Sequence, residues 1–157
     1  MKDKYTYQNL LRNVIGYKNQ NVIISFTQKY DVDVETATII FEDMIRFLTL
    51  SRLDDESLCV IDDPILIIDE MWHLFILSTQ DYFLFCKSFF GEYIHHKPTI
   101  KKPEKSRNQG ITLQFIEKKR KRYLALYNIL GVEVFDRWFH FYASEFSKNK
   151  ISGLRRY

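Results

Sequence analysis

The chain has 157 residues and a formal net charge of +3, with 46% hydrophobic and 16% aromatic residues. This length and composition exclude a disordered chain and allow one domain with a core of its own. Two cysteines exclude a disulfide framework, while only five glycines and three prolines favour helices over the many turns of an all-β fold.

The charge is unevenly distributed along the chain. Residues 1–96 carry a net charge of −7 and residues 97–122 carry one of +8. A local basic segment of this kind could contact nucleic acid, an acidic protein or only solvent. The first residues lack the apolar core of a signal peptide, and charged residues interrupt the apolar runs. We therefore expect a cytoplasmic protein with no membrane partner.

The spacing of apolar residues predicts helices along most of the first 90 residues. Asp33 has the position of an N-cap, and Pro64 is tolerated at the first helical position after Asp63. The segment from Pro64 to Ser78 is apolar nearly all round, which is typical of a central buried helix. The predicted helices span about 4–17, 20–29, 34–52, 64–78 and 81–90.

The second half begins with charge and proline and then returns to helical spacing. We expect an exposed basic loop at 97–110, helices at 112–130 and 134–147, and a frayed tail at 148–157. The prediction is an all-α fold, a compact single-domain helical bundle of about six to seven helices over residues 1–157. A hairpin of two central helices, 64–78 and 81–90, would lie at its centre.

Two ionisable side chains interrupt the apolar central helix. Asp69 and His73 lie about 40° apart at 100° per residue, inside an arc flanked by Ile65, Leu66 and Ile76. Burying such groups is unfavourable unless a partner satisfies them. The spacing therefore predicts a buried polar site on this helix.

Further candidate ligands follow on the next helix and just beyond it. Tyr82 and Cys86 share one helical face, and a short loop could return one of the two histidines that follow to the same place. Nitrogen, sulfur and carboxylate donors of this kind suit zinc or iron. The candidate metal ligands are His73, Cys86 and one of His95 or His96, with Asp69 as a fourth ligand or as the group that orients His73.

The residues leave other interpretations open, including whether any reaction is catalysed. Asp69, Trp72 and His73 could be a structural lock in an interaction module, and Cys86 with His73 could form a nucleophile pair. The partner surface would then be the basic segment 97–122. Its consecutive cations spread around a helix, so the simplest interpretation is that they are solvated and bind no partner. If the segment does bind a partner, a protein or a second copy of the chain is favoured over nucleic acid. These cations are Lys118, Lys119, Arg120, Lys121 and Arg122.

A block of motifs carries a resemblance to a known family. The chain reads D-E-x-W-H from Asp69, Y-x-x-F-C from Tyr82, F-G at Phe90 and H-H-x-P from His95. This block resembles the glycine-rich domain-containing protein-like family, in particular its small uncharacterised bacterial members. The resemblance implies a helical domain with a polar site around Asp69, Trp72 and His73.

Overall fold

The structure, a computed structural model, describes residues 2–97 and 112–157, and within them it is all-α, as predicted. The helices are α1 (Lys2–Val14), α2 (Gln20–Lys29), α3 (Val34–Leu50), α4 (Leu66–Leu77), α5 (Thr79–Phe90), α6 (Leu113–Leu130), α7 (Val132–Asp136), α8 (Tyr142–Glu145) and α9 (Lys148–Leu154). The predicted basic loop at 97–110 lies outside the described residues except for Lys97.

Helix boundaries follow local capping chemistry. Asp33 is confirmed as the N-cap of α3, because its carboxylate accepts a 2.7 Å hydrogen bond from the backbone N–H of Thr36. Gly91 ends α5 in the left-handed conformation (φ 77°), which glycine adopts without a Cβ clash. The start of the central helix is later than predicted, since Asp63–Ile65 form a 3-10 turn and α4 begins only at Leu66.

The C-terminal part differs from the sequence-based prediction in two ways. A π-helical segment, Arg137–Phe141, joins α7 to α8, so the predicted helix at 134–147 is continuous but not uniformly α-helical. The tail expected to fray instead forms α9, where Ile151 is buried. Backbone hydrogen bonds from Asp31 to Leu154 and from Arg156 to Lys29 fix its end beside α2.

The core surrounds α3 and α4, which pack against each other and against α2. The largest fully buried side chains are aromatic and come from α2 to α5 and from the C-terminal helices: Trp138, Tyr30, Tyr82, Tyr142, Phe26, Phe41, Phe75 and Phe85. In the described part of the chain, no helix combines the length and apolar character needed to cross a membrane.

Candidate metal centre

Three of the predicted site residues meet beside the middle of α4. The side chains of Asp69 and His73 lie one helical turn apart, and His96 reaches them from the segment that follows α5. Asp69 Oδ1 is 2.7 Å from His96 Nε2, and Asp69 Oδ2 is 3.6 Å from His73 Nε2. One candidate ligand atom from each residue lies within 4.8 Å of the other two. The carboxylate therefore lies between two imidazoles.

The cluster is half-buried, whereas the sequence predicted a buried site. The side chains of Asp69 and His96 are each 18% exposed, and that of His73 is 44% exposed. The buried face of α4 carries Met71 and Phe75, on the opposite side from Leu77, which is exposed. Because α4 is apolar on both sides, the hydrophobic pattern does not show which side faces the core. The expectation that Asp69 and His73 lie on the core-facing side was wrong.

A buried hydrogen-bond chain holds the segment that carries His96. Trp72 Nε1 donates to the Tyr82 hydroxyl at 3.0 Å, and that hydroxyl donates to the backbone carbonyl of Ile94 at 2.7 Å. The Trp72 ring also packs on the His96 ring, with centroids 4.4 Å apart. Tyr82 and Trp72 thus link α4, α5 and the returning chain, and they position the third member of the cluster.

Two predicted ligands lie outside the cluster. Cys86 is fully buried beside the Tyr82 hydroxyl and the backbone of Ile94. The His95 ring packs edge-on against the Tyr93 ring, with centroids 4.8 Å apart. Of the two adjacent histidines, the structure brings His96 to Asp69 and leaves His95 exposed.

The two arginines among the five consecutive cations of α6 form ion pairs within the chain. Arg120 donates two hydrogen bonds to the Glu117 carboxylate, and both Arg122 and the Tyr123 hydroxyl donate to the Asp62 carboxylate. Lys119 lies over the Tyr123 ring, 5.4 Å from its centroid. The arginines therefore have structural partners within the chain.

A second polar cluster, which the sequence did not reveal, lies on α3. The fully buried Asp43 accepts hydrogen bonds from Arg46 at 2.9 Å, from Arg137 at 2.7 and 2.8 Å, and from the Tyr142 hydroxyl at 2.5 Å. The hydrogen bonds to Asp43 raise the pKa of Arg137, while burial, followed by the charge of Asp43, raises that of Tyr142. This cluster joins α3 to the π-helical segment.

Tyr82→Phe tests the hydrogen-bond chain in the interior. The ring stays, but the Trp72 indole N–H and the Ile94 carbonyl lose their partner, and each unsatisfied buried group costs about 1–3 kcal/mol. We expect chemical denaturation to show a loss of about 2–4 kcal/mol. Tyr93→Phe is the control, because the Tyr93 hydroxyl hydrogen-bonds none of the described residues; an equal loss in both variants would contradict this role of the Tyr82 hydroxyl.

Both thiols are expected to react slowly in the folded protein. Burial, followed by the charge of Asp55, raises the pKa of the Cys59 thiol to about 12, and burial raises that of Cys86. A raised pKa lowers the fraction of thiolate at pH about 8, and the thiolate is the nucleophile. Reaction with Ellman's reagent should be at least about a hundredfold slower in buffer than in urea. Fast reaction of the native Cys86 would instead favour the nucleophile pair.

The fold and the cluster define a helical domain with a half-buried carboxylate and two imidazoles in contact. The model of the UCP032817-like family, an uncharacterised family, matches residues 11–129. This match covers well over half of the chain, so the chain belongs to that family, and the cluster lies inside the matched region. The match does not confirm the resemblance to glycine-rich domain-containing proteins. No curated protein and no solved structure matches the chain.

Proposed function

We propose that this protein binds one divalent transition-metal ion through Asp69, His73 and His96. The observation that carries the proposal is the position of the Asp69 carboxylate, with one oxygen toward each imidazole. Two histidines and one carboxylate are the donor set of non-haem iron(II) centres and also of catalytic zinc sites. Zinc and iron(II) are therefore the metals to test.

The distances support a site that closes on a metal with small side-chain movements. Metal–ligand bonds of about 2.0–2.2 Å place neighbouring donor atoms about 3.0–3.6 Å apart. The separation of Asp69 Oδ1 from His96 is 2.7 Å, just below this range, and that of Asp69 Oδ2 from His73 is 3.6 Å, at its upper limit. His73 is the most exposed of the three, and its ring already lies beside that of His96, with centroids 4.6 Å apart.

Three protein donors leave coordination positions for water or another ligand. Structural zinc sites usually have four protein ligands, whereas sites that bind a substrate keep a position open. The open side here is the solvent-facing side of α4, where His73 is exposed. A metal at this position would thus meet molecules from solution and would supply Lewis acidity there.

A second candidate role is a structural lock, favoured by the short contact between Asp69 and His96. That 2.7 Å contact and the packing of Trp72 on His96 satisfy both side chains without an ion. The lock would fix the segment after α5 against α4. Under this alternative the chain is an interaction module and not a metal protein.

Elemental analysis of protein purified without a histidine tag separates the two roles. We expect about one equivalent of zinc or iron in the protein as isolated, or after anaerobic titration of the metal-free form. Metal at about 100 times its dissociation constant should add about 2.7 kcal/mol of stability and raise the melting temperature. Less than about a tenth of an equivalent, with no rise in melting temperature on adding zinc or iron(II), would leave only the lock.

A further inference from the structure

The outward face of α6 carries a narrow stripe of exposed apolar residues. It consists of Leu113, Ile116, Leu124 and Tyr127, with Arg120 in the middle, and we call it the outer stripe. The opposite face of α6 carries Leu126 and Ile129, which are buried against the body of the protein, and Phe115, which is 59% exposed near the start of the helix. These four apolar side chains are 43–85% exposed, and the Tyr127 ring packs edge-on against Phe135 with centroids 5.4 Å apart. A contiguous exposed apolar surface of this kind is typical of an interaction site.

The spacing of the outer stripe is that of a helix-pairing surface. Its members follow one another at intervals of three or four residues, which keeps them on one side of the helix over about 21 Å. A stripe this narrow is typical of the seam between two paired helices, whereas a helix facing a core has a wider apolar arc. We propose that the outer stripe docks an amphipathic helix of another protein whose apolar stripe is bordered by aspartate or glutamate.

The acidic border follows from the lysines beside the outer stripe. Lys121, with Leu113 and Glu117, lines a shallow groove along one side of it, and Lys119 lies on the other side. Neither lysine forms a salt bridge with a residue that the structure describes, whereas the Glu117 carboxylate is paired with Arg120. In paired helices, the charges that border the apolar seam select the partner.

The same charges argue against the other occupants of this surface. A second copy of α6 would place lysines opposite lysines, and the segment 97–111 of this chain is itself basic. Nucleic acid would need the cations to form one continuous patch, but an apolar stripe separates them. A membrane-surface helix presents a broad apolar face, and this stripe is narrow and has a charged residue in its middle.

The test uses a designed helical peptide of about three heptads, with leucine at the seam and glutamate beside it. Labelled peptide is titrated with the full chain, and binding is read by fluorescence anisotropy. We expect saturable binding that weakens between about 50 and about 300 mM salt. A peptide with lysine in place of glutamate should bind at least about tenfold more weakly.

A matched pair of variants locates the binding surface. Leu124→Asp should abolish peptide binding, while Leu84→Asp on α5 should leave it unchanged, because these leucines are equally exposed, at 54% and 53%. Equal binding of the two peptides, or equal binding by both variants, would overturn the proposal. The proposal would also be overturned if analytical ultracentrifugation showed a dimer, or if the protein bound phosphatidylglycerol vesicles or an RNA homopolymer, and Leu124→Asp removed that interaction and not peptide binding. Metal content does not enter this test, so its failure is independent of the proposed metal site.

Discussion

Asp43→Asn is expected to lower the free energy of unfolding by about 3–5 kcal/mol. The substitution keeps the shape of the side chain but removes the charge that Arg46 and Arg137 share. Its amide would also point a donor at groups that are themselves donors, including the Tyr142 hydroxyl. The loss is large because Asp43 is completely buried, so water cannot replace it as the partner.

The control is the same substitution at an exposed ion pair of the same length. Asp31 pairs with Arg156 at 2.7 Å, but both side chains are largely in solvent. Asp31→Asn should therefore cost less than about 1 kcal/mol. Urea unfolding of the two variants compares them directly. Similar losses would mean that burial of Asp43 is not what makes its ion pairs important.

His96→Ala is expected to lower metal affinity by at least about a hundredfold, because it removes one of three proposed ligands. His95→Ala is a strict control, since it removes the neighbouring imidazole, which packs on Tyr93 and lies outside the cluster. Isothermal titration with zinc, and with iron(II) under anaerobic conditions, measures both. If His95→Ala lost as much affinity as His96→Ala, the proposed ligand set would be wrong.

Asp69 and Cys86 complete this series. Asp69→Ala should abolish stoichiometric binding, because the carboxylate contacts both imidazoles. Cys86→Ala should leave affinity within about threefold, since this buried thiol is not part of the cluster. A large loss of affinity in the Cys86 variant would restore the sulfur ligand that the sequence suggested.

The helices were largely predictable because their ends depend on local chemistry. The predicted range 20–29 coincides with α2, Asp33 caps α3, and α5 and α6 end at residues 90 and 130 as expected. The helix α9 was not predictable, because its end is held by backbone hydrogen bonds with Lys29 and Asp31, which are far away in sequence. Such long-range contacts leave no periodic signal in the tail itself.

The location of the candidate site was predictable, but its composition was only partly so. The i, i+4 spacing of Asp69 and His73 placed them together on α4. Which of His95 and His96 turns back depends on the conformation of the segment after Gly91, and that is set by the Tyr82 hydroxyl bonding to Ile94. Spacing alone could not choose between two adjacent histidines.

The sequence did not identify Asp43 as a buried residue, because it lies on the face of α3 opposite the apolar stripe that runs from Ala37 to Leu48. A carboxylate in that position is normally solvated. The signal that could have found it is a second apolar series, Ile40, Met44 and Phe47, which makes the C-terminal half of α3 buried on nearly all sides. Its cationic partner, Arg137, comes from 94 residues further along the chain.

The π-helical turn brings two side chains of the Asp43 cluster onto one face of the helix. Arg137 and Tyr142 are five residues apart, which in an α-helix would place them about 140° apart. The wider turn, with the Tyr142 N–H bonded to the Arg137 carbonyl, brings both onto one face, where a single carboxylate holds them. If the segment formed a regular α-helix of the same length, the two side chains would lie on different faces and one carboxylate could not hold both. The π-helical hydrogen bond from Tyr142 to Arg137 is therefore as much a part of the Asp43 cluster as its side chains.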